Sequence, residues 1–192
     1  QGTVLGPLLF LLHINEMPSV VDPNTRCRLF ADDCLLYRVV DSLADQLQLQ
    51  QDLAALEAWA SDLGVQFNAS KCHVMVVNRG QSHKPFLYQL CGTVLGSVAR
   101  EKYLGVLLSQ EMAWSPHIGS VTAKAHQKLG FIRRNLRGSP IECKRLAYIA
   151  LVRSGLEFAS IIWDPHLKKD ADALERVQRK AARLVTSIYE QQ

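Results

Sequence analysis

The first part of the chain alternates short apolar runs with turn-forming residues, whereas the second part repeats apolar residues at helical spacing. Residues 27–30 and 34–40 are rich in aromatic, aliphatic and β-branched side chains, a composition typical of β-strands. Asp32 and Asp33 lie between them, and Asp tolerates the backbone angles of a tight turn. The pattern therefore predicts a β-hairpin with two carboxylates at its tip.

Helical spacing follows this hairpin. Ser42 is placed to cap a helix with Asp45, and leucines and alanines then recur every three or four residues as far as Gly64. Upstream, Pro7 begins an apolar run that is typical of a buried helix. Short strands are predicted at residues 65–67, 72–77, 86–90, 93–98 and 103–108. We expect these strands to extend an antiparallel sheet.

The pattern of residues 113–192 predicts a helical bundle. A serine followed by a proline opens one helix at residue 115 and a second at residue 139, and a third helical repeat lies near the C-terminal end. The predicted fold class is α+β. We expect an antiparallel sheet with packed helices in residues 1–112, followed by the helical bundle.

Composition narrows the possibilities. The chain has 192 residues, 48% of them hydrophobic, which is enough to bury a core. Its apolar runs are too short to cross a bilayer, so we expect an intracellular protein with no membrane partner. The five cysteines are odd in number and lack C-x-x-C spacing, which favours reduced thiols over a disulfide framework or a zinc site.

Charge is distributed unevenly along the chain. Residues 1–114 carry 8 basic and 11 acidic groups, a net charge of −3, whereas residues 115–192 carry 14 basic and 7 acidic groups, a net charge of +7. The second part is therefore the candidate for contact with nucleic acid.

Two adjacent carboxylates suggest specific chemistry. Asp32 and Asp33 repel each other unless a cation neutralises them, and hard oxygen ligands suit Mg²⁺ or Mn²⁺. The alternative is a solvated Asp-Asp turn, which is common for purely local reasons. The neighbouring motifs decide between the two interpretations.

These motifs resemble those of a known family. The sequence QGTVLGPLLF at residues 1–10, followed by FADD at residues 30–33, resembles the reverse transcriptase family, and most closely the polymerases of non-LTR (LINE-type, jockey-like) retrotransposons. FNASKC at residues 67–72, KYLGV at residues 102–106 and several later segments resemble this family in the same order. The resemblance covers essentially the whole chain and implies a partial polymerase palm followed by a thumb-like helical region.

The resemblance also implies roles for individual residues. Asp32 and Asp33 would be the catalytic residues and the ligands of Mg²⁺ or Mn²⁺. The residues expected near nucleotide and template are Gln1, Gly2 and Lys71, those of the primer grip are Lys102, Tyr103, Leu104 and Gly105, and those along the nucleic-acid backbone are Lys124, Lys128, Arg133, Arg134 and Arg137. Three alternatives stay open: a surface lysine at residue 71, an ordinary core strand at the grip, and helix cations that serve only solubility.

The implied reaction is template-directed phosphodiester formation by a two-metal mechanism. Its partners would be an RNA template, a DNA primer and deoxynucleoside triphosphates, and its location would be the nucleus and cytoplasm. The resemblance implies a third metal-binding carboxylate on a strand that precedes the QG loop. We therefore expect this chain to be a fragment that is inactive alone. The alternative is a decayed or co-opted fragment that binds RNA or a protein partner without catalysis. A metal-dependent phosphohydrolase ranks last because the chain shows no nucleophile or histidine cluster for it.

Overall fold

The computed structural model describes residues 3–77 and 86–186. These residues form two compact units, one made of residues 3–74 and 86–98 and the other of residues 75–77 and 99–186. The division between the units falls before the hairpin at residues 100–109. Every helix in the described ranges is too short or too polar to span a bilayer.

The first unit contains two longer helices, two short 3₁₀ helices and six strands. In chain order these are α1 (Leu5–Ile14), a 3₁₀ helix (Met17–Ser19), β1 (Arg26–Phe30), β2 (Asp33–Tyr37), α2 (Leu43–Asp62), a 3₁₀ helix (Ala69–Lys71), β3 (His73–Val74), β4 (Gln89–Leu90), β5 (Thr93–Val94) and β6 (Gly96–Ser97). The predicted cap of α2 is confirmed, because Ser42 and Asp45 form a reciprocal capping box.

The second unit is a hairpin followed by helices. Its elements are β7 (Arg100–Tyr103), β8 (Val106–Ser109), α3 (Ser115–Asn135), α4 (Ile141–Ala147), a π-helix (Tyr148–Arg153), α5 (Ser154–Glu157), α6 (Ser160–Trp163) and α7 (Lys168–Thr186). The predicted second helix is thus present but passes from α to π geometry before it ends. The combination of helices and small sheets agrees with the α+β class.

The prediction that these strands extend one antiparallel sheet is wrong. The described strands form four separate two-stranded sheets, β1-β2, β3-β6, β4-β5 and β7-β8, and the β3-β6 pair is parallel. No strand forms at residues 65–67, and strands of two residues leave too short a ladder for a broad sheet. The predicted strand 103–108 is interrupted because Leu104 and Gly105 have φ of +47° and +89°. Positive φ at both central residues makes a type I′ turn, the turn that matches hairpin twist.

Helix α1 also differs from the expectation of a buried helix. Only Ile14 is buried in it, whereas the side chains of Leu8, Leu9 and Leu12 are 55%, 61% and 72% exposed. The apolar run sets helical structure locally, but within the described residues it meets too little apolar surface to be covered.

One of two buried clusters in the described residues of the first unit lies between the β1-β2 hairpin and α2. Met17, Val21, Cys27 and Leu56 form this cluster. Successive strand residues point to opposite faces, so one face of the hairpin packs on this cluster and the other faces solvent.

A polar network holds the base of this hairpin. Arg38 follows β2 directly, and its guanidinium donates to Asp22 Oδ1 at 2.7 Å, to Thr25 Oγ1 at 3.1 Å and to Asp45 Oδ1 at 3.3 Å. Asp52 of α2 is 2% exposed and accepts from the Asp22 backbone N–H at 2.9 Å and from the Thr25 hydroxyl. The chain entering β1, the chain leaving β2 and helix α2 are therefore joined at one point.

The charges of this network shift the ionisation of its acids. The hydrogen bond from Arg38 is the largest of several contributions that hold the pKa of Asp22 below its usual value of 3.8. The pKa of Asp45 is lowered chiefly by the Ser42 hydroxyl and the Asp41 backbone N–H, with a further contribution from Arg38.

The second unit is built around the packing of α3 on α7. Ala125, Leu129 and Ile132 of α3 meet Val177 and Ala181 of α7 in one buried cluster. At the other end, the Ser115 hydroxyl at the start of α3 donates to Asp170 Oδ2 at 2.6 Å. Trp163 packs with Val106 and Ile118, which attaches the β7-β8 hairpin to the helices.

We predict that Arg38→Met lowers the thermal midpoint at neutral pH and weakens its dependence on acid. Groups whose folded pKa is depressed contribute stability that is present above the unfolded value, near 3.8 here, and is lost as pH falls through the folded pKa. The wild-type midpoint should therefore fall as pH is lowered from about 5 to 2, and the variant should lose less over that interval. Thermal melts by circular dichroism test this, and parallel pH profiles for both proteins would contradict it.

A second prediction concerns the β7-β8 turn. Gly105→Ala should destabilise the chain by about 1–2 kcal/mol, because a non-glycine residue at positive φ is strained. An added Cβ would also lie 2.7 Å from Cε1 of Phe158. Gly119→Ala is the matched control, since nothing lies within 4 Å of that Cβ and alanine favours the helix interior. Urea denaturation should show opposite signs for the two variants, and equal effects would exclude the turn geometry as the cause.

Candidate active site

The two aspartates lie at the tip of the β1-β2 hairpin, as predicted. Phe30 pairs with Asp33 as the last rung of the ladder, which leaves Ala31 and Asp32 as the two turn residues. Ala31 has φ of +51°, a conformation that costs a non-glycine residue about 1–2 kcal/mol. The turn is tight, and it presents both carboxylates on adjacent residues to solvent.

The strands hold this tip in one orientation. Cys27 pairs with Leu36 and Leu29 pairs with Cys34, so these four side chains share one face. Leu29 and Leu36 pack against the buried cluster that includes Leu56 of α2. Together with the network at the base of the hairpin, this packing determines which residues reach the tip.

The aspartate pair fits part of a divalent-metal site. Asp32 and Asp33 are exposed and offer hard carboxylate oxygens of the kind that Mg²⁺ and Mn²⁺ prefer. Within residues 3–77 and 86–186, no group of three or more His, Cys, Asp or Glu side chains is arranged to hold a metal. The described residues thus place two exposed carboxylates at the hairpin tip.

The residues predicted to lie near nucleotide and template are only partly described. Gln1 and Gly2 lie outside the described residues. Lys71 is exposed at the end of the 3₁₀ helix Ala69–Lys71, and its backbone N–H donates to the Asn68 carbonyl at 3.0 Å. The turn is therefore present, and its lysine faces solvent.

The primer-grip segment forms the β7-β8 hairpin. Lys102 is an exposed residue of β7, Tyr103 is half-buried and closes the turn opposite Val106, and Leu104 and Gly105 are the turn residues. The resemblance of KYLGV to the family implies a primer-grip hairpin, and the structure forms a hairpin at this position. Its contact with a primer stays a prediction.

The predicted backbone-binding cations do not form one surface. Arg133, Arg134 and Arg137 line a single groove of about 530 Å³ at the C-terminal end of α3. Lys124 and Lys128 are exposed but do not line this groove. On a helix with 3.6 residues per turn, Lys124 and Lys128 lie on the opposite side of the buried stripe from Arg133.

Sequence reasoning missed part of this groove, which Lys144 of α4 lines together with Ile132, Leu136 and Leu184. A second groove of about 410 Å³ lies between α3 and α7, where His126 meets cations of the opposite helix. Its other lining residues are Arg176, Arg179, Lys180 and Arg183. Burial and the charges of Lys180 and Arg176 lower the pKa of His126. The basic face of α7 was visible in the sequence, but nothing local indicated which α3 residue opposes it.

The hairpin and its surroundings match a known family of proteins. Residues 1–108 match the family model described as "Reverse transcriptase (RNA-dependent DNA polymerase)". This region includes the Asp32-Asp33 hairpin and most of the β7-β8 hairpin. No solved structure matches the chain significantly.

Three relatives from Drosophila melanogaster are each similar over 97% of the chain. A probable RNA-directed DNA polymerase from transposon BS is 26% identical, one from transposon X-element is 26% identical, and the RNA-directed DNA polymerase from mobile element jockey is 25% identical. The chain spans only 22%, 21% and 21% of these relatives. Because the family model covers more than half of the chain, including the aspartate hairpin, the chain belongs to the reverse transcriptase family.

Proposed function

We propose that this chain supplies the metal-binding hairpin of an RNA-directed DNA polymerase encoded by a non-LTR retrotransposon. Its partners would be an RNA template, a DNA primer and deoxynucleoside triphosphates, and the reaction would add nucleotides to the primer 3′ end. The observation that carries this proposal is the exposed Asp32-Asp33 pair at a hairpin tip, in a chain of the reverse transcriptase family. A location in the nucleus and cytoplasm is part of the same proposal.

Asp32 and Asp33 would hold Mg²⁺ or Mn²⁺ through their carboxylates. A divalent cation at this position supplies charge neutralisation for the triphosphate and lowers the pKa of the attacking hydroxyl. The chain's own contribution is orientation. Asp33 is held by its place in the ladder opposite Phe30, whereas Asp32 is held by the turn. A pair of ligands held by a packed hairpin is preorganised for the charge that develops during transfer.

The surrounding segments take roles consistent with this chemistry. We propose that residues 1–112 form part of a palm and residues 113–192 a thumb-like region. Gln1, Gly2 and Lys71 would lie near nucleotide and template, and the turn at Lys102–Gly105 would contact the primer end. These assignments rest on the family to which the chain belongs and on the exposure of Lys71 and Lys102.

The helical region would bind the nucleic-acid backbone through its cations. Arg133, Arg134 and Arg137 converge on one groove, and arginine donates readily to phosphate oxygens. Contacts of this kind position the nucleic acid without reading its sequence. Lys124 and Lys128, which lie on another side of α3, would then follow a different stretch of backbone.

The first test is primer extension on an RNA template with Mg²⁺, by a longer polypeptide that carries this chain behind the upstream part of the family domain. Asp32→Asn should lower the extension rate at least about 100-fold, because it removes one charged ligand of the transition-state cation. Asp62→Asn, which changes an exposed acid at the end of α2, should leave the rate unchanged. Wild-type protein that folds and binds RNA but does not extend a primer would instead support a non-catalytic retroelement fragment.

The groove is tested by the salt dependence of RNA binding. Arg133→Gln with Arg137→Gln should weaken binding of single-stranded RNA and reduce the slope of log affinity against log salt by about 0.7 per lost phosphate contact. Lys168→Gln with Lys169→Gln removes the same charge from the start of α7, about 24 Å along the helix from the groove residue Leu184. This control should change the slope less. Equal slopes for the two double variants would exclude the groove as the backbone site.

A further inference from the structure

Two cysteine sulfurs lie next to each other on the aspartate hairpin. Cys27 of β1 and Cys34 of β2 have Sγ atoms 3.6 Å apart. Cys27 pairs with Leu36 and Cys34 pairs with Leu29, so the two cysteines are diagonal neighbours on the same face of the ladder. Cys34 directly follows Asp33. A covalent bond between these sulfurs would therefore cross the hairpin immediately behind its acidic tip.

We propose that Cys27 and Cys34 are a redox modification site, in which a low-molecular-weight disulfide oxidises the two thiols to a reversible cross-strand disulfide. The sulfurs are already in van der Waals contact, so bond formation needs them to approach by about 1.5 Å, to the usual S–S length near 2.05 Å. Both cysteines are free in the structure.

The different exposure of the two thiols sets the order of the reaction. Cys34 is exposed, whereas Cys27 is 7% exposed and belongs to the buried cluster with Met17 and Leu56. The oxidant therefore reaches Cys34 first, although the hydrogen bond to Cys27 and partial burial raise the pKa of the Cys34 thiol and so slow this attack. Cys27 lies behind it, in the position of a resolving thiol that attacks from the protein side.

The exchange balances in two steps. The Cys34 sulfur, after losing its proton to solvent, attacks one sulfur of the small disulfide and expels the other as a thiolate, which leaves a mixed disulfide on Cys34. The Cys27 sulfur, also deprotonated, then attacks Cys34 Sγ and expels the second small thiolate. The two released thiolates take up the two protons. The protein loses two hydrogens and two electrons, and the small disulfide is reduced to two thiols.

The diagonal placement makes the bond easy to reduce again. Diagonal residues on neighbouring strands have Cα atoms about 7–8 Å apart, beyond the range of about 4.4–6.8 Å usual for a disulfide, so the bond forms only if the two strands move closer at this point. Bond formation should therefore increase the local twist of the hairpin, and strained disulfides are the labile ones. If the hairpin has the function proposed above, this twist would reposition Asp33, so oxidation would modulate the metal site.

The test uses the whole 192-residue chain, reduced and then treated with oxidised glutathione, followed by alkylation, trypsin digestion and mass spectrometry. Trypsin cuts after Arg26, Arg28 and Arg38, so Cys27 and Cys34 fall on the separate peptides 27–28 and 29–38. A linked pair of these peptides, about 2 Da lighter than the sum of the two reduced peptides because two hydrogens are lost, is the expected product. Dithiothreitol should release it.

Variants separate this bond from other pairings. Cys34→Ser, a change at an exposed position, should abolish the link, whereas Cys27→Ser should stop the reaction at a glutathione adduct on peptide 29–38. Cys143→Ser changes another exposed cysteine in the helical unit and should leave the link intact. A circular dichroism melt checks that each variant is folded.

Two outcomes would overturn the proposal. One is a dominant link between peptide 29–38 and the peptide that carries Cys72, another free cysteine of the first unit. The other is wild-type protein that stops at the mixed disulfide although it is folded. Neither outcome bears on polymerase activity, because the link needs no metal or nucleic acid and the extension assay is run under reducing conditions. Failure of one proposal is thus distinguishable from failure of the other.

Discussion

The register of the β1-β2 ladder is the constraint on which the candidate site depends. Side chains alternate along a strand, so a slip of one residue would move Cys27 and Leu29 from the core to solvent and change the residues at the turn. Packing against Leu56 opposes such a slip from the apolar side. The hydrogen bond that Arg38 donates to Thr25 and the one that Asp52 accepts from the Asp22 backbone N–H oppose it from the base. The paired carboxylates occupy the tip because the hairpin is held at its base and along its apolar face.

Hydrogen bonds offset the cost of burying an acidic side chain at the hairpin base. Asp52 is nearly inaccessible to water, and a buried carboxylate is costly unless it is hydrogen-bonded. Here it accepts from a backbone N–H, a hydroxyl and the Gln48 amide. Such a network has few alternative arrangements, which gives the hairpin one position on α2 at the cost of desolvating an acid.

In the helical unit, too, apolar packing positions polar side chains at the surface. Small and branched residues let α3 and α7 approach closely, and the cations on their flanks then converge into grooves. The groove of Arg133 and Arg137 also includes Lys144, a residue that is 9% exposed. Apolar packing thus sets the spacing of the charges. Under the proposed function, that spacing determines whether the cations can contact successive phosphates of a nucleic acid.

Local features of the sequence determined the hairpin tip, the capping box of α2 and the long helices α3 and α7, because each depends on residues within a few positions of one another. The family was readable for the same reason, since its motifs are short and ordered along the chain. Tertiary structure alone decided the break of the expected sheet into pairs, the exposure of α1, the convergence of Arg38 and Asp52 on Asp22 and Thr25, and the separation of Lys124 from Arg133. These features depend on which residues distant in sequence come into contact. A shift of one residue between two packed segments would change every contact between them, although the local pattern of each segment would stay the same.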